Sequence, residues 1–174
     1  MKSKDRFNAL ELALKNETKE REFYLKNAGA TKNPLGKAMF LQIADEELEH
    51  YERLKQLYEN WQREGKWPET VPLKVKDTMV REVLEGMFTK LDEIPPGTDD
   101  ELDAVRQAID FEAKGMAYYE KLADSVSDPK EKGFFKLLAK VEREHYLSLK
   151  DTAEFLVDPQ SWYTAKERHI LDGA

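Results

Sequence analysis

The sequence predicts an all-α protein in which four long helices form a bundle of two antiparallel hairpins. Apolar residues recur in four stretches at alternating steps of three and four, the period of a helix face that packs in a bundle. The connections between these stretches are short, then long, then short. The second half also repeats the pattern of the first at a constant offset of 95 residues, as from Glu17 to Glu112. Since low-complexity tracts are absent from the 174 residues, we expect a single domain over 1–174.

The first hairpin is predicted to consist of helices at about residues 5–28 and 34–63. Asn33 and Pro34 suit the N-cap and the first position of the second helix. The buried stripe of the first helix is predicted to comprise Leu10, Leu14, Glu17, Tyr24 and Ala28. The seam of the second helix is predicted to comprise Phe40, Ile43, Glu47, His50, Leu54, Leu57 and Trp61.

Residues 64–98 are predicted to form a long crossover, which contains four of the seven prolines. A short amphipathic helix is predicted within it, after Asp77, because apolar residues follow at helical spacing. Those residues are Val80, Leu84, Met87, Phe88 and Leu91.

The second hairpin is predicted at residues 99–125 and 129–157. Thr98 and Glu101 have the spacing of a capping box, and Asp128-Pro129 gives a cap followed by proline at the first helical position. Part of the tail, 158–174, is predicted to pack on the bundle through Trp162, Tyr163, Ile170 and Leu171. Two short hairpin loops around a long crossover are the connectivity of ferritin-like bundles.

Polar residues interrupt the apolar seams at matching places. Glu47 and His50 are three residues apart, so both project from one helix face, and the offset of 95 residues matches them to Glu142 and His145. A buried carboxylate is costly unless it is neutralised, and a metal ion neutralises it while binding the imidazole. Glu17 and Glu112 complete the set known from two-metal carboxylate bundles. Four carboxylates balance two divalent cations, and this oxygen and nitrogen donor set suits iron or manganese.

The composition excludes several other kinds of site. A net charge of −7 and a pI near 5.2 argue against nucleic acid and against an anionic membrane surface as partners. The chain has no cysteine, so disulfides and thiolate metal sites are excluded within it. Because no apolar run approaches the roughly 20 residues needed to span a bilayer and no signal sequence is evident, we expect a cytoplasmic protein without a membrane segment.

The residues resemble the rubrerythrin family of ferritin-like di-iron proteins over roughly Leu10 to Leu156. The resemblance depends on Glu17 with Phe23-Tyr24, Glu112 with Tyr118-Tyr119, and two Glu-x-x-His motifs, Glu47-Leu48-Glu49-His50 and Glu142-Arg143-Glu144-His145. It implies that Glu47 and Glu142 bridge two iron ions, that Glu17 and Glu112 are terminal ligands, and that His50 and His145 each bind one iron. The implied reaction is reduction of hydrogen peroxide or dioxygen.

The sequence departs from the rubrerythrin pattern at two points. It lacks the Cys-x-x-Cys pairs of a rubredoxin-like iron site, so an external electron donor such as a rubredoxin-type protein is expected. Where the family has an extra Glu three residues beyond the ligand of the third long helix, this chain has Gly115; the matching position on the first helix is Glu20, a candidate seventh ligand. Tyr24 and Tyr119 lie two turns beyond Glu17 and Glu112, so each phenol is predicted to hydrogen-bond a ligand carboxylate.

Other interpretations stay open at this point. The site could serve iron oxidation for storage or transfer, which requires a closed shell of many subunits, whereas the enzyme is expected to be a homodimer. A helical interaction module with a vestigial site is the third alternative, and manganese would indicate catalase-like chemistry. Glu46, Glu49 and Glu144 are interpreted as solvated residues or as hydrogen-bond partners of the ligands.

Overall fold

The computed structural model describes residues 3–65, 78–88, 94–162 and 164–165. Within these ranges the chain is helical and contains no strand. The principal helices are α1 (Ser3–Ala30), α2 (Pro34–Glu64), α3 (Val80–Phe88), α4 (Asp99–Ser125) and α5 (Pro129–Val157). The predicted all-α fold is therefore confirmed, and α1 begins and ends two residues outside its predicted bounds.

Three helices begin at side-chain caps in the positions that the sequence predicts. Asn33 Oδ1 accepts hydrogen bonds from the backbone of Leu35 and Gly36, at 3.0 and 3.2 Å. Thr98 and Glu101 form a reciprocal capping box at the start of α4. Asp128 Oδ1 accepts from Lys130 N at 2.9 Å at the start of α5. These acceptors satisfy backbone N–H groups that have no partner within the helix.

The helix directions follow from two apolar clusters at opposite ends of the bundle. α1 runs from the cluster around Leu10 to the cluster around Tyr24, and α2 runs back from Phe40 to Leu57. α4 runs in the same direction as α2. α5 runs in the opposite direction, from Phe135 in the cluster around Leu10 to Phe155 in the cluster around Tyr24. Each hairpin is thus antiparallel, whereas α2 and α4 are parallel, so their connection must cross the length of the bundle.

The crossover packs on the second helix of each hairpin through α3. Val80 and Leu84 are buried there, and α3 contacts both α2 and α5. At the end of the crossover Gly97 N donates to Leu156 O at 2.8 Å. A Cβ atom at Gly97 would lie 3.0 Å from Leu156 Cβ, so a larger residue at this position would require Leu156 to shift. The predicted contribution of Leu91, like those of the Met87 and Phe88 side chains, lies outside the described residues.

The start of the tail packs on the bundle. The Trp162 side chain is buried, and its ring meets Phe155 edge-on at 5.7 Å between centroids. The predicted packing of Tyr163, Ile170 and Leu171 lies outside the described residues.

At the other end of the bundle, Arg6 Nε lies 2.7 Å from Glu131 Oε1, and the Arg6 guanidinium stacks on the Trp61 ring. This ion pair ties the start of α1 to the start of α5.

Candidate metal centre

A layer of charged side chains lies between the two apolar clusters, where each long helix passes from one cluster to the other. Its members are Glu17, Glu47, His50, Glu112, Glu142 and His145. All six side chains are at most 1% exposed. Sequence spacing predicted this set, and the structure brings all six together.

The six residues form two overlapping groups. In each group, one ligand atom per residue lies within 4.8 Å of the others. Glu17 and His50 belong to the first group, and Glu112 and His145 belong to the second. Glu47 and Glu142 belong to both groups. Two ligand sets that share two carboxylates have the arrangement expected for a pair of adjacent cations.

The two imidazoles turn the same nitrogen towards the carboxylates. His50 Nδ1 lies 3.2 Å from Glu17 Oε2 and 3.1 Å from Glu47 Oε2. His145 Nδ1 lies 3.4 Å from both Glu47 Oε1 and Glu112 Oε2. The rings are stacked, with centroids 6.0 Å apart and planes inclined by 19°. Nδ1 is therefore the candidate metal ligand of both histidines.

Several polar atoms of the layer have no hydrogen-bond partner among the described residues. They are Glu47 Oε1, Glu112 Oε2, both carboxylate oxygens of Glu142, His145 Nδ1 and, on the outward side of its ring, His50 Nε2. A buried polar atom without a partner destabilises a fold, so such a concentration requires a ligand. Cations would satisfy carboxylate oxygens and imidazole nitrogens together, and the donor set therefore fits metal ions such as iron or manganese.

Without a metal, protons compensate the charge of the layer. Burial, reinforced by the charge of Glu47, raises the pKa of Glu17 to about 8 and that of Glu142 well above its usual range. Burial alone would lower the pKa of His50, but the Glu47 carboxylate outweighs it and raises that pKa to about 10. The pKa of Glu47 is lowered despite its burial, because both imidazolium groups stabilise its charge. A metal ion must therefore displace protons from this layer.

Tyr24 and Tyr119 were each predicted to hydrogen-bond a ligand carboxylate, and in the structure each bonds a carboxylate of the other hairpin. Tyr24 on α1 donates to Glu112 Oε1 on α4, and Tyr119 on α4 donates to Glu17 Oε1 on α1. Burial raises the pKa of both phenols well above the usual value, so each stays protonated as a donor. Because each phenol engages Oε1, the Oε2 atom of its Glu is left facing the imidazoles.

The remaining candidate, Glu20, lies beside the layer but belongs to neither group. Burial, followed by the charges of Glu47 and Glu17, raises its pKa to about 10. Gly115 lies against the Glu142 carboxylate, and a Cβ atom there would be 3.1 Å from Glu142 Oε2. The Glu142 side chain thus fills the space that a side chain at position 115 would need.

Sequence reasoning left the role of Glu46 undecided, and the structure distinguishes it from Glu49. Glu46 Oε2 lies 2.7 Å from His145 Nε2, whereas Glu49 Oε1 lies 3.6 Å from Arg53 Nη2. Burial opposes ionisation of Glu46, but its hydrogen bond with His145 outweighs this and lowers the pKa to about 2. The sequence contains one signal that sets Glu46 apart: the offset of 95 residues matches it to the apolar residue Val141, whereas Glu47 and His50 are matched to identical residues.

Fold and site together define a ferritin-like helical bundle with a buried carboxylate and histidine centre that could hold metal ions. A family model described as Rubrerythrin matches residues 8–153, and the chain belongs to this family. A solved structure of a hypothetical protein from Pyrococcus furiosus is similar at 26% identity and a TM-score of 0.61, covering 86% of this chain and 89% of that chain. A search of curated proteins finds no significant match. In the described ranges no helix is long and apolar enough to cross a membrane.

Proposed function

We propose that this protein is a di-iron oxidoreductase that reduces hydrogen peroxide or dioxygen with electrons from an external donor. The observation that carries the proposal is the pair of overlapping ligand groups, buried between two apolar clusters and sharing Glu47 and Glu142. Membership of the rubrerythrin family supports it. Manganese fits the same donors, so the choice of iron depends on the family.

In this proposal each side chain has a defined role. Glu47 and Glu142 would be available to both ions, because each belongs to both groups. Glu17 with His50, and Glu112 with His145, complete the two positions, and Glu20 is a candidate seventh ligand. Two ferrous ions, when bound, would supply one electron each for reduction of the O–O bond. Tyr24 and Tyr119 hold one oxygen of Glu112 and one of Glu17, which fixes the direction of the other oxygen.

Burial of the centre favours a small oxidant. All six candidate ligands are at most 1% exposed, and the apolar clusters enclose the layer from both ends of the bundle. Hydrogen peroxide and dioxygen need only a narrow path, whereas a large organic substrate would have to separate the helices. The absence of cysteine from the 174 residues places any thiolate-ligated electron donor, such as a rubredoxin-type protein, outside them. A homodimer and a cytoplasmic location remain predictions.

Anaerobic loading with ferrous ion, followed by stopped-flow mixing with peroxide and separately with dioxygen, tests the reaction. We expect the loaded protein to be oxidised faster than free ferrous ion by at least one of the two. Glu47→Ala should remove this advantage, whereas Glu52→Ala, an exposed position on the same helix, should preserve it. Oxidation of the loaded protein no faster than that of free ferrous ion, with both oxidants, would contradict the proposal.

A further inference from the structure

The two histidines of the centre differ at their outward nitrogen. His145 Nε2 lies 2.7 Å from Glu46 Oε2. His50 Nε2 is buried and has no hydrogen-bond partner among the described residues. The inward Nδ1 atoms have similar carboxylate surroundings. The hydrogen bond at Nε2 is therefore the clearest difference between the two imidazoles.

The Glu46 carboxylate has further hydrogen-bond partners, among them the Thr78 side chain. Its Oε1 atom accepts from Met79 N at 2.8 Å, at the start of α3, and from Gln42 Nε2 at 2.7 Å. Oε2 is left to face His145 Nε2. An ionised carboxylate only accepts hydrogen bonds, so Nε2 must carry a proton, and a metal can then bind Nδ1.

We propose that Glu46 is a positioning residue that fixes the orientation and tautomer of His145, so that the two metal positions differ and the one beside His145 binds metal more tightly. The proposal rests on the proposed metal centre and deepens it. Carboxylate partners behind a ligating histidine typically change metal affinity by about 10–100-fold. The residue that the offset matches to Glu46 is Val141, which is buried and offers no acceptor.

Glu46→Gln is the informative substitution because it preserves size. The amide oxygen would keep the bonds from Met79 and Gln42, which leaves the amide NH₂ facing His145 Nε2. The amide NH₂ and the Nε2–H of His145 would then be two donors facing each other. The imidazole would avoid this by carrying its proton on Nδ1 instead, where the proton blocks metal binding. Glu46→Ala removes the partner without presenting a donor, so it should weaken binding less than Glu46→Gln.

Anaerobic calorimetric titration with ferrous ion measures the effect. In the full-length protein we expect two binding events, and Glu46→Gln should weaken one of them by about 10–100-fold. Glu52→Gln makes the same charge change at an exposed position on α2 and should leave both events unchanged. Thermal unfolding of each metal-free variant verifies that it is folded.

A double-mutant cycle separates positioning from a general structural effect. In a His50→Ala background Glu46→Gln should still weaken binding, because His145 is present. In a His145→Ala background it should have no further effect. Equal weakening in both backgrounds, or unchanged binding by Glu46→Gln alone, would overturn the proposal while leaving the metal centre intact. Failure of the unsubstituted protein to bind two ions would instead contradict the proposed function.

Discussion

Tyr24 on α1 donates its phenolic hydrogen bond to Glu112 on α4, the candidate ligand of the opposite hairpin. Tyr119 makes the reciprocal bond to Glu17. The two bonds cross between the hairpins at the level of the charged layer. They therefore link the position of each terminal carboxylate to the packing of both hairpins, and a metal centre built from these carboxylates should depend on both phenols.

Tyr24→Phe removes the donor to Glu112 and leaves a buried carboxylate oxygen without its partner. We expect ferrous affinity to fall by about 10–100-fold, as for other partners that orient metal ligands. Tyr118→Phe is the matched control, because the neighbouring phenol donates to Ala9 O at 2.6 Å instead of to a carboxylate. Equal losses in the two variants would show that the effect is one of packing.

Gly115→Ala should disturb the centre through Glu142. The new Cβ atom would lie 3.1 Å from Glu142 Oε2 and 3.3 Å from its Cδ, so the carboxylate must shift. We expect weaker metal binding on titration with ferrous ion. Gly133→Ala is the control, because its Cβ would meet no atom within 4 Å, and this exposed helical site should gain about 0.5–1 kcal/mol of stability. Unchanged affinity in Gly115→Ala would contradict the proposed role of Glu142.

The metal-free protein should lose stability as pH rises. The folded state raises the pKa of Glu17 from its usual 4.5 to about 8 and that of His50 from 6.5 to about 10. Each group therefore binds its proton more tightly when folded, which stabilises the fold at low pH, and this contribution is lost as pH rises through the folded values. Thermal unfolding between about pH 6 and pH 9 should show a falling midpoint.

Metal loading should reverse this trend, since metals and protons compete for the same atoms. The midpoint difference between loaded and metal-free protein should grow with pH over the same range. A metal-free midpoint that stays constant or rises would show that the buried carboxyl and imidazole groups do not hold these protons.

Glu101 connects the start of α4 to the loop between α1 and α2. Its Oε1 accepts from Thr31 Oγ1, Lys32 N and Asn33 N at 2.5, 2.9 and 2.9 Å, and its Oε2 accepts from Thr98 N at 2.9 Å. Glu101→Gln should lower the free energy of unfolding by about 1–2 kcal/mol at neutral pH, as for loss of a helix cap. Glu120→Gln, exposed on the same helix, should change it little.

The effect of Glu101→Gln should disappear in acid. Although partial burial opposes ionisation, the hydrogen bonds from Thr31 and Thr98 lower the pKa of Glu101 from 4.5 to about 2. Its stabilisation is therefore present above the usual value and is lost as pH falls towards about 2. Urea unfolding of the unsubstituted protein and of the Glu101→Gln variant, at neutral and at acid pH, would measure this. The same difference in free energy of unfolding at both pH values would contradict it.

The fold and the six candidate ligands were accessible from sequence because their signals are local. A helix start requires an acceptor for free N–H groups, and Asn33, Thr98 and Asp128 supply one directly before an apolar periodic stretch. A carboxylate at a position where the helical period predicts an apolar residue is easy to recognise. The offset of 95 residues then matches a single residue such as Glu47 to an equivalent one in the other hairpin.

The hydrogen-bond partners of the ligands were less accessible because they depend on contacts between distant elements. Glu46 and Glu49 are both next to a candidate ligand in sequence, and they differ in whether they face α3 and α5. Spacing likewise predicted that Tyr24 binds a carboxylate without identifying Glu112. The three-dimensional position of the crossover determines the contacts of Glu46, and the packing of the two hairpins determines the partner of Tyr24.

The proposed function requires that six buried side chains together hold two metal ions. Anaerobic titration with ferrous ion, followed by metal analysis of the desalted protein, tests it most directly. We expect two ions per chain, with the loss of at least one when Glu142 is replaced by alanine. Recovery of less than one ion per chain, or full retention in the Glu142→Ala variant, would contradict it.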